Sequence, residues 1–163
     1  MINKINFLFV TLFGIGKIKK FPGTFASFAT IIFLFFLFHI VKISPYFVFF
    51  LLIIVFFVSL YSVKIYIKDL VEKDSSEIVI DEYIGQSIPI CLYELAHSTH
   101  DDTDQILQSY LIMFVLFRIF DIIKPFPVSY FDKNFKNSFG VIMDDVCAGF
   151  YVVSVLVLYI ILI

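Results

Sequence analysis

The sequence predicts an all-α fold: a polytopic helical bundle in a membrane, with about four to five spans and an N-terminal interfacial or re-entrant helix. Three observations carry that expectation. Of the 163 residues, 61% are apolar and 16% charged, against ~45–50% and ~25% in soluble domains. Mean hydropathy is +0.99, and apolar stretches near the roughly 20 residues that a span requires recur along the chain. Lys and Arg sort to alternate loops, as membrane topology demands. The length fits one unit, so 1–163 reads as a single membrane-embedded domain. With 20% aromatic residues the chain is not disordered. A net charge of −2 gives no reason to expect nucleic acid. Cys91 and Cys147 lie in apolar surroundings and read as buried thiols.

Residues 5–13 are apolar but short. Lys17, Lys19 and Lys20 follow, and no small-residue cleavage site does, so this segment reads as a surface or re-entrant helix. Residues 24–41 form the first span, interrupted by His39 near its end, and Ser44-Pro45 turns the chain. Residues 46–61 form the second, running on as far as Ile67, and a stretch with both charges occupies 64–82. Residues 83–96 are apolar but only 14 long with Glu94 inside, a weak span on hydropathy alone. Residues 97–104 hold His97, His100, Asp101, Asp102 and Asp104. No helical or strand spacing aims these at one point, so a solvated loop is expected rather than a metal site. Residues 106–120 form the next apolar helix, Pro125 and Pro127 break the chain after it, and residues 141–163 form the last span.

Five crossings with a cytoplasmic N-terminus place Lys4, Lys17, Lys19, Lys20, Lys64, Lys68, Lys73, Arg118, Lys124, Lys133 and Lys136 inside, 11 of the 12 Lys and Arg, and leave Lys42 outside. The same count favours 83–96 as a crossing, because without it the 124–136 loop lands outside.

Four polar clusters then share the cytoplasmic face. The first is Gly14-Ile15-Gly16-Lys17 with Pro22-Gly23-Thr24. Thr24 is the expected N-cap of the first span, and free N–H groups there with lysines nearby suit a phosphate; a capped helix with a positive anchor accounts for the same residues. The second is Asp81-Glu82, entering a membrane segment with Gly85 one turn on. The third is Arg118, Asp121 and Lys124, spaced to form one polar stripe on a helix, or a local salt-bridge ladder. The fourth is Asp144-Asp145, followed by Ala148-Gly149, a weak echo of the second. Adjacent acids at a membrane boundary repel unless a cation neutralises them. Hard oxygen ligands of this kind suit Mg²⁺ together with a phosphate oxygen, so the expected ligand is a lipid bearing a phosphate.

The segments 14–27 (GIGKIKKFPGTFAS), 81–85 (DEYIG), 117–127 (FRIFDIIKPFP) and 140–149 (GVIMDDVCAG) carry a resemblance over nearly the whole chain. In order and spacing the chain resembles the phosphatidylglycerophosphatase A family, bacterial membrane enzymes of phospholipid synthesis. It departs from that family's common pattern at Lys19, Ala26, Lys133 and Asn137-Ser138. The resemblance implies a membrane-embedded phosphatase domain that performs Mg²⁺-dependent hydrolysis of phosphatidylglycerophosphate, its phospholipid substrate, at the cytoplasmic face of the inner membrane. On that footing Mg²⁺ is held by some of Asp81, Glu82, Asp144 and Asp145. Asp121 is either a further ligand or the base, and the catalytic set is Asp81, Asp121, Asp144 and Lys124. Lys17, Arg118 and Lys124 neutralise the phosphoryl oxygens, and the helix start at Gly23-Thr24 holds the phosphate or glycerol. Direct attack by water is the expected route, with an aspartyl-phosphate the alternative. The competing classes are a small ion-coupled transporter and a non-catalytic membrane subunit. A transporter calls for acids near mid-membrane rather than at helix starts.

Overall fold

The computed structural model describes residues 4–68, 76–97 and 103–162. Among them are seven α-helices and no strand: α1 (Lys4–Val10), α2 (Pro22–Phe35), α3 (Pro45–Lys68), α4 (Ile80–Ala96), α5 (Thr103–Ile123), α6 (Val128–Asn134) and α7 (Ser138–Leu162). A one-turn 3₁₀ segment, Ile15–Lys17, precedes α2, and a π-helical turn, Phe36–Ile40, extends it. Of the 97–104 stretch, His100, Asp101 and Asp102 lie outside the described residues.

Four of these helical stretches are long and apolar enough to cross a membrane: Pro22–Ile40, Pro45–Lys68, Thr103–Ile123 and Ser138–Leu162. Their outward faces are studded with exposed side chains such as Phe33, Phe50, Phe57, Leu111, Val115 and Leu158. In water such a belt is untenable, and against lipid tails it costs nothing. Helix α4 is the axis of the bundle. It packs on α2, α3, α5 and α7 and buries an unbroken run, Ile84–Cys91. At 17 residues it is about 25 Å long. A helix sheathed by its neighbours need not be long or greasy, which is why hydropathy reads 83–96 so weakly. Helix α1 has 7 residues, too few to span, and packs on α3, where the Asn6 side-chain amide donates to Ser62 O.

The buried face of α2 opens with small residues, Gly23, Ala26, Ser27 and Thr30, before Ile31 and Leu34, and the two hydroxyls are satisfied within the helix by Gly23 O and Ala26 O. Thr24 is not the N-cap expected from the sequence. Helix α2 begins at Pro22, with Phe21 in left-handed backbone as its cap residue and no side-chain cap bond. Proline presets the first helical φ and has no N–H to orphan, so it takes the start position and moves Thr24 inside the first turn.

Helices α4 and α7 make the closest crossing. A Cβ on Gly85 would stand 2.6 Å from Asp145 O and 2.7 Å from Phe117 Cε2, and one on Gly149 would collide with Gly85 O. Pro89 explains why that carbonyl is available. It lies four residues after Gly85 in α4 and has no N–H, so Gly85 O lacks its helical donor. Gly149, with no side chain, lets α7 come up against that carbonyl.

Candidate active site

The two glycines set the site. Asp81-Glu82 sit one turn before Gly85, and Asp144-Asp145 one turn before Gly149, so the crossing brings both acidic pairs together. The pairs share a local geometry: Asp81 Oδ1 accepts the Glu82 N–H at 3.1 Å, and Asp144 Oδ1 accepts the Asp145 N–H at 3.0 Å. Asp81, Asp144 and Asp145 are buried and Glu82 is half-buried.

These acids line a cavity of about 280 Å³ at one end of the bundle, with Gly23, Arg118, Asp121, Lys124, Asp132, Lys136 and Gly140 also on its wall. Asp81, Glu82 and Asp145 converge most tightly, each offering a carboxylate oxygen within 4.8 Å of the others. Glu82 Oε2 is sealed from solvent and has no hydrogen-bond partner. Six carboxylates line the cavity against three cations. An unneutralised set of this kind would repel phosphate, and three convergent oxygens with one unsatisfied are a donor set that fits a hard divalent cation. Gly23 closes this side. A side chain there would run into Glu82 Oε1 and stand 3.3 Å from Arg118 Nη1.

Arg118 and Asp121 pair at 2.8 Å across one turn of α5, and Arg118 Nη1 also reaches Ser27 Oγ at 3.4 Å. Lys124 does not continue their stripe. Helix α5 ends at Ile123, and Lys124 takes left-handed backbone, φ 49°, while its N–H caps Phe120 O at 2.9 Å. Pro125 disfavours right-handed helix at the preceding residue, and the αL cap is the resulting exit. The turn redirects the ammonium to Asp132 Oδ1 at 2.7 Å and Asp144 Oδ2 at 2.8 Å. Asp144 thus faces Lys124, whereas Asp145 joins Asp81 and Glu82.

Lys17 and Thr24 do not line the cavity, and the Lys17 ammonium sits 4.6 Å over the Phe7 ring. Sequence reasoning passes over Asp132 and Lys136, which do line it. Two prolines separate Asp132 from Lys124, so no helical period connects them.

Burial opposes charge on Asp132, but the Lys124 hydrogen bond outweighs it and holds the carboxyl below its usual range. Burial likewise opposes charge on Lys124, and the bonds from Asp132 and Asp144 raise its pKa nonetheless. A depressed carboxyl stabilises the fold above its unfolded pKa and loses that contribution as pH falls through its folded value. A raised ammonium contributes below its unfolded pKa and loses it as pH rises through its folded value. The Asp132→Asn variant is therefore expected to melt below the parent in detergent by an amount constant between about pH 5 and 9. The deficit should shrink in stronger acid. A deficit that varies through neutrality would show that this bridge is not its source.

The sequence pattern of the phosphatidylglycerophosphatase A family matches residues 8–160. The chain belongs to that family. By that membership it is a lipid phosphatase. It is 34% identical to phosphatidylglycerophosphatase A of Haemophilus influenzae over 155 residues, 95% of this chain and 88% of the relative. It is 38% identical to the Escherichia coli phosphatidylglycerophosphatase A over 92 residues, 56% of this chain and 47% of the relative. A Bacteroides thetaiotaomicron protein provisionally named a phosphatidylinositol-3-phosphatase is 42% identical over 79 residues, 48% of this chain and 45% of the relative. No solved structure matches the chain.

Proposed function

We propose that this chain hydrolyses the phosphomonoester of phosphatidylglycerophosphate, releasing phosphatidylglycerol and inorganic phosphate, with Mg²⁺ as cofactor. The observation that carries the reading is the convergence of Asp81, Glu82 and Asp145 beside Arg118 and Lys124 in one cavity. Asp81, Glu82 and Asp145 would hold the ion, and what Mg²⁺ supplies when bound is Lewis acidity toward the phosphoryl group and a lowered pKa for water. Arg118 and Lys124, each pinned by a carboxylate, stand ready to neutralise the phosphoryl oxygens as charge develops. Asp121 lies outside the three-acid convergence but on the same wall, so it is the carboxylate assigned to accept the proton of the attacking water. Its ion pair with Arg118 fixes its orientation.

The distribution of Lys and Arg supports placing this end of the bundle at the cytoplasmic face of a bacterial inner membrane. Acids gathered in the first turn of α4 and about two turns into α7, together with cations, suit a headgroup site better than the mid-membrane path of an ion-coupled transporter.

The test is phosphate release by the purified protein in detergent, with phosphatidylglycerophosphate and phosphatidylinositol 3-phosphate compared. Release from the first lipid is expected, and chelation of divalent cations should reduce it by more than about 10²-fold. Full activity under chelation removes the metal from the reading. Release from the inositol lipid alone replaces the substrate, as the partial match to the Bacteroides thetaiotaomicron protein would then favour.

A further inference from the structure

A second cleft, about 410 Å³, lies beside the acidic cavity, between the C-terminal end of α3 and the N-terminal end of α7. Lys64, Lys68 and Lys136 line it, with Asn137, Ser138, Ile67 and Phe139. None of its described lining residues is acidic, in contrast with the six carboxylates next door. Lys136 lines both spaces, so the two adjoin at that residue. No ion pair among the described residues involves Lys64 or Lys68.

The other side of the cleft adds to the same field. Helix α7 has 25 residues and opens here. Asn137 Oδ1 accepts the N–H groups of Phe139 and Gly140, both at 3.0 Å, which caps the helix while leaving the positive end of its dipole toward the cleft. Phe139 is 40% exposed and Ile67 is buried, so an apolar wall adjoins the cations. Cations above apolar surface are complementary to the point where a phospholipid headgroup meets its acyl chains.

Phosphatidylglycerophosphate carries two phosphates of different kind: the terminal monoester, and the diester that joins the headgroup to diacylglycerol. We propose that the cleft between α3 and α7 binds the diester phosphate of the substrate through Lys64 and Lys68, while the monoester occupies the acidic cavity. Lys136 stands where the two halves of the headgroup join. The inference rests on the phosphomonoesterase reading above. It assigns the cleft a task the acidic cavity does not perform, which is to select lipids whose monoester lies beyond a phosphodiester.

The experiment uses the full chain in uncharged detergent with Lys64 and Lys68 both changed to glutamate. KM for phosphatidylglycerophosphate should rise about tenfold or more while kcat stays within about twofold of the parent, because a remote anchor contributes equally to ground and transition state. Two inhibitors locate the loss. Phosphatidylglycerol has the diester but no monoester, and its inhibition constant should rise by a similar factor. Inorganic phosphate can fill only the monoester position, and its inhibition constant should be unchanged. The Lys64→Arg/Lys68→Arg variant should restore the parent KM. An unchanged KM and unchanged phosphatidylglycerol inhibition in the glutamate variant overturn the proposal while leaving the phosphatase reading intact. Parallel weakening of inorganic phosphate would assign the lysines to a diffuse field and overturn it as well. If the parent protein releases no phosphate from this lipid, the phosphatase reading fails first and takes the diester site with it.

Discussion

Replacing Asp145 by asparagine is expected to abolish turnover and leave the bundle folded. Asparagine has the shape of aspartate, so the buried site stays filled, while the convergent donor set loses one of its three negative oxygens. Ligand charge in a dry site is the part of catalysis most costly to lose, and the expected drop in kcat is about 10³-fold or more. The thermal melt in detergent should not fall, because three clustered carboxylates repel one another and removing one charge relieves the fold. Asp81→Asn and Glu82→Gln belong to the same class. Asp144→Asn should be milder, about 10–10²-fold, because Asp144 acts on Lys124, and Lys124 keeps Asp132 as a partner. Phosphate release and melting, measured on all four variants, decide the matter. A normal rate in Asp145→Asn, or a loss in Asp144→Asn as deep as in the other three, would remove the distinction between the acids that converge and the acid that holds the lysine.

That distinction also marks how far the sequence alone reaches. Composition and hydropathy define the membrane class, because 61% apolar residues leave no soluble alternative. The long apolar helices follow from the same signal. The acidic pairs stand out because charge entering a greasy helix is costly wherever it has no task. Beyond this, local patterns give out. Adjacent aspartates look alike in one dimension, but on α7 they differ by a rotation of about 100°, which turns Asp145 toward α4 and Asp144 toward Lys124. The stripe from Arg118 to Lys124 assumes continuous helix, and Pro125 ends the helix one residue before Lys124. Lys17 and Thr24 sit beside the right residues in sequence, yet Pro22 starts α2 early and the Lys17 ammonium settles on Phe7. Helix α4 is the opposite case. Its hydropathy undersells it, since burial by neighbouring helices is a property of the assembled bundle.

Gly149 carries the largest structural prediction. The echo between Asp81-Glu82…Gly85 and Asp144-Asp145…Gly149 is faint in sequence, but in the fold it is the contact that sets the distance between α4 and α7. A Cβ at Gly149 meets a backbone carbonyl, Gly85 O, rather than a side chain that could swing away, so the helices themselves must part. Gly149→Ala is expected to cost about 1–3 kcal/mol as overpacking, read as a lower melting temperature in detergent, and Gly149→Leu should cost more. The acids that must meet lie one turn from this contact on each helix, so the same separation spreads Asp145 from Asp81 and Glu82. A displacement near 1 Å is expected to lower kcat by about 10²-fold. Phe150, the next residue, is 53% exposed on the outer face, and Phe150→Leu should leave both stability and rate unchanged. If Gly149→Ala melts early but turns over at the parental rate, the spacing of α4 and α7 matters to folding and not to chemistry. If both quantities fall together while Phe150→Leu is silent, the glycine contact is what holds the acids of two helices close enough to share one ion.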